Sequence, residues 1–305
     1  MKSNQSIKAL CLFSGGLDSQ LAVCLIREQG IKVECITFQT PFYSSDTALI
    51  AADQLRVPIH LVDFTNTIVG LIEKPQYGFG SAINPCIDCH ANMLKVAGEF
   101  LKTHNFSFLV TGDVFRQRAF SQNTRSFKAA EEISNCPGLI VRPLSGGLLP
   151  ETIPEMRGWI ERDKLKKISG RSRAPQKQLA KKFGLKDYPQ PAGGCRLTET
   201  GFSVKIKDLI AHNELKNRTY LESLKIGRHF RIGNSKLVLG RNHQQNQDLA
   251  HLAGNDNWFI EHLSPTGPSG LLSKSVSANE FELACQICAF YGNTPENGIA
   301  TLSLK

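Results

Sequence analysis

The chain has 305 residues, 41% hydrophobic and 21% charged, with 36 Lys and Arg against 27 Asp and Glu for a formal net charge of +9. That length and balance suit two or three ordinary folded domains and exclude a disordered or fibrous polypeptide. Nine cysteines, an odd number in so long a chain, argue against a disulfide scaffold and point to catalytic or metal-binding thiols.

Met1-Lys2-Ser3-Asn4-Gln5 leads straight into the first apolar run, without the pattern of a signal peptide. No apolar run approaches a membrane span. A cytoplasmic protein with no membrane partner is therefore expected. Residues 9–13 read as a strand, Ser14-Gly15-Gly16-Leu17-Asp18-Ser19 as a loop, and residues 21–26 as a helix. A strand entering a Gly/Ser loop and then a helix gathers backbone N–H groups, hydroxyls and the positive end of a helix dipole around one point. That point suits a phosphate, and the two glycines let the backbone approach it closely. The Lys-Ser/Thr ending of a Walker loop is missing, so this is a different nucleotide site.

Residues 31–38 and 58–64 are further β-rich runs, with a helical stretch near residues 46–55 between them. A helix follows over residues 88–102 and a strand over residues 108–111. This alternation gives a parallel sheet covered by helices on both faces, with its ligand at the carboxyl ends of the strands. Phe38-Gln39-Thr40 ends the second strand at that edge, which places Phe38 as an adenine contact.

Cys86-Ile87-Asp88-Cys89 stands where a Gly/Pro-rich loop enters the third helix, a position that favours a thiolate. Cys195 lies in a Gly-Gly turn more than one hundred residues later. Cys11, Cys24 and Cys35 have apolar neighbours and read as core fillers. Cys285-Gln286-Ile287-Cys288 falls inside an apolar helical pattern and reads as packing.

From residue 143 to 191 the composition turns to prolines, glycines and basic residues. Between Arg157 and Lys186 there are eleven Lys and Arg and two acidic residues, Glu161 and Asp163. Such a stretch suits a polyanion such as RNA, the alternative being a solvated helix face. A short helix is expected over residues 174–183. Beyond residue 205 the pattern is that of a small α+β module. It has strands near residues 230–232 and 236–239, a helix over residues 279–291 behind a cap at Ser277, and a loose tail from Asn293. The expected domains are residues 1–145, a basic substrate region at 146–204 carrying Cys195, and the module at 205–305.

The hexapeptide Ser14–Ser19 resembles the pyrophosphate-binding loop of the PP-loop ATP pyrophosphatases, which adenylate a substrate and release pyrophosphate. Asn84-Pro85-Cys86-Ile87-Asp88-Cys89 is similar to the Asn-Pro-x-x-x-Cys segment of the bacterial tRNA 2-thiouridine synthases. On that likeness Cys89 is the first family cysteine and Cys195 the second, whereas Cys86 replaces a residue that is usually acidic. Three cysteines instead resemble the iron–sulfur-dependent tRNA thiolases, whose [4Fe–4S] cluster has three protein ligands. Thr111-Gly112-Asp113-Val114-Phe115-Arg116-Gln117-Arg118 with Ser121-Gln122, then Gly170-Arg171-Ser172-Arg173 and residues 191–195, looks like a PP-loop family of predicted tRNA thiolases. Leu239-Gly240-Arg241-Asn242, with Asn246, Leu249 and Gly267-Pro268, is similar to the RNA-binding domain of NFACT-type proteins.

These resemblances imply an adenine-nucleotide alpha-hydrolase-like α/β fold and an ATP-dependent tRNA sulfurtransferase that replaces the C2 or C4 oxygen of a uridine. Ser14, Gly15, Gly16 and Ser19 would bind the phosphates and Asp18 would hold Mg²⁺. Cys89 and Cys195 would handle sulfur from a donor protein or sulfide. Cys86, Cys89 and Cys195 would hold the cluster, a zinc site completed by His90 being the alternative. Arg116 and Arg118 would face phosphate or tRNA, or form a structural salt bridge. Rival readings are an amidotransferase-type synthetase on the same loop and a non-catalytic RNA-binding or sulfur-relay factor.

Overall fold

The computed structural model describes residues 7–190, 194–264, 267–293 and 301–304. The chain forms two compact units, residues 1–199 and 200–305. In chain order the first unit comprises β1 (Lys8–Leu12), α1 (Leu17–Arg27), β2 (Lys32–Gln39), α2 (Asp46–Leu55), β3 (Ile59–Asp63) and α3 (Thr65–Glu73). It continues with α4 (Cys86–Thr103), β4 (Phe108–Thr111), α5 (Thr124–Ser134), β5 (Ile140–Val141), the short α6 (Ile153–Met156) and α7 (Ala174–Phe183).

The five strands form a wholly parallel sheet in the order β3-β2-β1-β4-β5. β1 is its centre: Ala9, Leu10 and Cys11 have no exposed surface, as a strand covered on both faces requires. The chain winds outward from β1 through β2 to β3, then returns to the other side of β1 as β4. The strand order therefore reverses between β1 and β4, and a crevice opens at their carboxyl ends. One face of the sheet buries Val23, Ile26, Cys35, Phe108 and Val110 together with Ala48, Ala51 and Ala52 of α2.

The expected basic linker is part of this unit. Leu17, Leu21 and Leu25, spaced four apart on α1, pack with Val114, Leu144, Ile168 and Ala180, and Leu179 and Phe183 of α7 lie against them. Periodic leucines at that spacing put one apolar stripe on α1, and α7 covers it. The composition change near residue 143 thus marks a polar outer surface on a buried inner one, and no domain boundary falls there.

The second unit contains α8 (Thr200–Ala211), α9 (Arg218–Ser223), β6 (Arg228–Ile232), β7 (Ser235–Leu239), α10 (His243–Leu252), β8 (Asn257–Ser264), β9 (Gly270–Ser273), α11 (Ala278–Phe290) and β10 (Thr301–Leu304). Its sheet is antiparallel throughout, in the order β10-β8-β9-β7-β6. Ile232, Leu237, Leu239, Ile260 and Leu272 face Ala284 and Cys288 of α11, so Cys288 is a packing residue. Val238, Phe259 and Leu271 face Leu249 of α10 on the other side. Ser277 caps α11 in a reciprocal box with Glu280. The loose tail is corrected at residues 301–304, which pair with β8 as strand β10.

At the β1–β4 crevice two backbones nearly touch. A Cβ on Gly112 would lie 2.6 Å from the Ser19 backbone N and 2.7 Å from the Asp18 carbonyl carbon. Only glycine fits where the end of β4 meets the start of α1. Gly112→Ala should therefore lower the stability of the first unit by about 1–3 kcal/mol through overpacking. Thermal unfolding checks this, and an unchanged midpoint would show that the two backbones separate freely.

Candidate functional site: a phosphate loop and a group of thiols

The loop after β1 leaves the sheet at the switch point and enters α1 through Gly16, its N-cap. Gly15 adopts φ +74°, and a Cβ there would lie 2.3 Å from the Thr47 carbonyl oxygen. The loop is braced internally. Ser19 donates its hydroxyl to the Gly16 carbonyl at 2.9 Å, and the Ser14 and Ser19 hydroxyls are 3.4 Å apart. Gln20, 1% exposed, donates to the Gly15 carbonyl at 2.7 Å. The first turn of α1 has N–H groups without intrahelical partners, as every helix start does.

Asp18 stands in that first turn and is held from two elements that follow it in the chain. Gln117 Nε2 donates to Asp18 Oδ2 at 2.7 Å, and Gln176 Nε2 of α7 donates to Gln117 Oε1 at 2.8 Å. Arg173, just before α7, lies 3.6 Å from the same carboxylate oxygen. Asp18 Oδ1 is buried and has no hydrogen-bond partner. A carboxylate oxygen left unpaired at the mouth of a phosphate loop fits a hard cation such as Mg²⁺. From Arg173 the solvent face of α7 continues with exposed Lys177 and Lys181 at spacings of four. Arg116 and Arg118 are also exposed, and Arg116 lies over the Phe115 ring.

Phe38 takes a different place from the one expected. Its ring is 5% exposed and meets Phe64 edge-on with centroids 5.2 Å apart. Strand alternation turns this side chain into the core, so it has no free face for an adenine.

The thiols sit at the start of α4. Asn84, 6% exposed, accepts from the Ala82 N–H and donates to Cys86 Sγ at 3.1 Å. Asp88, 1% exposed, accepts from the Gln76 and Tyr77 N–H groups, each at 3.0 Å. These two buried side chains fix the loop that delivers Cys86 and Cys89. The Cys195 segment is tied to the turn after β2, because the Arg196 N–H donates to the Phe42 carbonyl at 3.0 Å. Residues 191–193 of the Pro-Ala-Gly turn lie outside the described residues.

Cys86, Cys89 and Cys195 are all partly exposed and unpaired. Burial pushes the Cys89 thiol well up, and the neighbouring Cys195 and Cys86 push it further. Burial likewise raises Cys195 to about 12, against the opposing pull of the Leu197 backbone N–H. The thiolate expected at the start of a helix is thus overridden by desolvation and by other thiols. Tyr43 was not singled out by sequence reasoning. Burial raises its hydroxyl, and Cys89 and Cys195 act on it next. That hydroxyl is buried without a full hydrogen bond. Thr40-Pro41-Phe42-Tyr43 carries no pattern that distinguishes a thiol contact from a core tyrosine.

Among the described residues no group of three or more His, Cys, Asp or Glu side chains is arranged to hold a metal ion. Cys86, Cys89 and Cys195 act on one another electrostatically. His90 Nε2 is hydrogen-bonded to Asp113 Oδ2 at 2.9 Å. Asp113 is the hub of a second buried network. It also accepts from Thr111 at 2.8 Å and Gln122 at 3.2 Å, and Arg142, 6% exposed, lies 3.7 Å away. Burial alone would raise this carboxyl, but His90 and then Arg142 and Thr111 hold it well below the usual carboxylate range.

A Gly/Ser loop at the switch point of a parallel sheet, with an acidic residue in the first helical turn, is a PP-loop-like α/β arrangement. The comparisons narrow this. The family model described as thiamine biosynthesis protein (ThiI) matches residues 4–153, and that of the NFACT protein RNA binding domain matches residues 227–305. The first unit is therefore similar in sequence to the one family and the second unit to the other. The probable tRNA sulfurtransferase of Agathobacter rectalis is 30% identical over 146 residues, which is 45% of this chain and 35% of that one. That of Lysinibacillus sphaericus is 31% identical over 146 residues, 45% of this chain and 34% of that one. The chain thus spans about a third of the length of these curated relatives. A solved structure titled as a predicted subunit of tRNA methyltransferase, from Methanocaldococcus jannaschii, is 19% identical with a TM-score of 0.35, covering 63% of this chain and 96% of that one.

Two outcomes follow from the site. Asp113→Ala leaves Arg142 buried beside Glu131 alone, a loss of about 3–5 kcal/mol of the kind seen when one partner of a buried pair is removed. Chemical unfolding measures it. With their thiols raised, Cys89 and Cys195 should react with iodoacetamide at pH 8 at least about tenfold more slowly than free cysteine, whose pKa is about 8.5. Their rates should rise as the pH passes 9, and peptide mass spectrometry follows each site.

Proposed function

We propose that the protein is an ATP-dependent tRNA sulfurtransferase that adenylates a uridine carbonyl oxygen and replaces it with sulfur. The observation that carries this reading is the joint presence of the braced loop with Asp18 and the coupled thiols Cys86, Cys89 and Cys195 on one ThiI-type unit. The loop suits activation of the base, the thiols suit sulfur delivery, and the basic face of α7 suits RNA.

A uracil carbonyl oxygen is a poor leaving group. In the proposed first step this oxygen attacks the α-phosphorus of ATP, an O–P bond forms, and pyrophosphate departs. The first turn of α1 with Ser14, Gly15, Gly16 and Ser19 binds the charge that develops on the pyrophosphate. Mg²⁺, held by Asp18, would neutralise phosphate charge, while Gln117 and Gln176 keep that carboxylate oriented.

In the second step the terminal sulfur of a persulfide on one cysteine attacks the activated carbon, and AMP leaves with the oxygen. The other thiolate then attacks the inner sulfur of that cysteine. The S–S bond to the base sulfur breaks, the thiocarbonyl is released, and a Cys89–Cys195 disulfide remains for an external dithiol to reduce. A donor protein bearing a persulfide supplies the cysteine persulfide: the cysteine thiolate attacks the donor's outer sulfur, and the donor leaves as a thiol. The Tyr43 hydroxyl, buried against these thiols, is suited to donate to a thiolate as it forms.

The test uses the purified chain, an unmodified tRNA transcript, ATP and a persulfide donor. Asp18→Ala should lower pyrophosphate release about 100-fold, within the range for a lost preorganised electrostatic group. Cys89→Ser and Cys195→Ser should keep pyrophosphate release and lose thiouridine, read by nucleoside mass spectrometry. Thiouridine formed at the normal rate by both serine variants would overturn the thiol pathway. Unchanged thiouridines in tRNA from a deletion strain would overturn the substrate.

A further inference from the structure

The second unit contains a cleft of about 950 Å³ bounded by the start of α10, strand β8, the segment before β9 and the end of α11. Its charge is one-sided. Among the described residues Arg228, Arg241 and Lys274 line it against a single carboxylate, Glu261. Arg228 lies over the ring of Tyr291, 4.7 Å from the centroid, and Tyr291 is 41% exposed. Cation and ring together make a platform of the kind on which bases stack.

Buried polar atoms point to what the cleft takes. Asn257 is 5% exposed, yet its Oδ1 has no hydrogen-bond partner. Both ring nitrogens of His262 are also buried and unpaired. Leaving such groups unsatisfied is costly, so native sites keep them for a partner. The His262 ring is fixed in place: a Cβ on Gly267 would lie 2.4 Å from it, and one on Gly292 2.3 Å. An amide and an imidazole offer donors and acceptors that match the edge of a nucleobase.

The Gly240-Arg241-Asn242 motif explains the opposite wall. A Cβ on Gly240 would lie 2.1 Å from Asn246 Oδ1, and that oxygen accepts from the Ser269 N–H at 3.0 Å. Asn242 caps α10 by accepting from the Gln245 N–H at 2.9 Å. Between them Arg241 is exposed beside the N-terminal turn of α10. Arginine at a helix start is an anion site with two sources of positive charge.

We propose that this cleft binds one nucleotide of single-stranded RNA, with its phosphate at Arg241 and the start of α10, its base on Tyr291, and its base edge at Asn257 and His262. A paired A-form helix has no free base face to place on the ring, so the cleft selects unpaired segments such as a loop or a 3′ end. This extends the reading of the protein as one that acts on RNA and does not depend on the sulfur chemistry.

The experiment measures binding of a labelled ten-nucleotide single-stranded RNA to the full chain, without ATP, by fluorescence anisotropy. The same sequence as a blunt duplex is the comparison. Tyr291→Ala and Asn257→Ala should each weaken single-strand binding about tenfold, in the range that base stacking provides. Arg241→Ala, a surface change that leaves the fold intact, should weaken it and flatten the dependence on salt. Ultraviolet crosslinking of the same RNA should place adducts on peptides containing His262 or Tyr291. Equal single-strand binding by all three variants, or crosslinks confined to residues 7–190, would overturn the proposal. Normal binding with no thiouridine formed would overturn the enzymatic reading and leave this one standing.

Discussion

The first unit depends on the approach of two backbones at the reversal point of its sheet. Gly112, at the end of β4, lies against the Asp18–Ser19 peptide at the start of α1, with no room for a Cβ. That contact sets the height of the phosphate loop above the sheet. It also brings the residues after β4 under the loop, so that Gln117 reaches Asp18 and Asp113 reaches His90 on the thiol helix. One close contact thereby registers the nucleotide corner against the helix that carries Cys86 and Cys89.

The two buried polar networks divide the work. Asp18, Gln117, Gln176 and Arg173 orient a carboxylate whose remaining oxygen stays free. Thr111, Asp113, His90 and Arg142 leave no oxygen of their carboxylate idle and fasten β4 to α4. The carboxylate of the first keeps an oxygen for a ligand, and that of the second is saturated as in a structural joint, although Nε and Nη2 of Arg142 are buried without a hydrogen-bond partner. The same contrast holds in the second unit. There Asp208 is closed by Arg231 and Lys236, while Asn257 and His262 face a cleft unpaired.

Much of this was legible in the sequence where local chemistry decides the outcome. The helix at 46–55, the strand at 108–111 and the helix at 174–183 carry their own periodicity and turn residues, and all three stand as expected, whereas the loop expected from Ser14 to Ser19 is shorter because α1 begins at Leu17. What failed were inferences about environment. Phe38 ends a strand at the ligand edge, but which side of the sheet it faces depends on register, and Phe64 holds it inward. Cys89 begins a helix, yet desolvation and two neighbouring thiols outweigh the helix end. Gln176 is a lone polar residue on the buried side of α7, and nothing local reveals that its partner lies 59 positions away on Gln117. The short β5 and β10 are strands by virtue of their neighbours and have no strong pattern of their own.

Helix α7 has one further consequence, for how this chain can be recombined. Its apolar side closes the core over α1, its first residues reach the Asp18 network, and its outer side carries the lysines. A hybrid protein joined near residue 145, where the composition changes, would exchange the basic surface but strip α1 of its cover and Gln117 of its support. A junction at 199/200 leaves each set of contacts whole. The natural unit of exchange is therefore the Ser14–Ser19 loop together with its basic helix, and the charged surface of that helix can diverge only by substitutions that respect the loop beneath it.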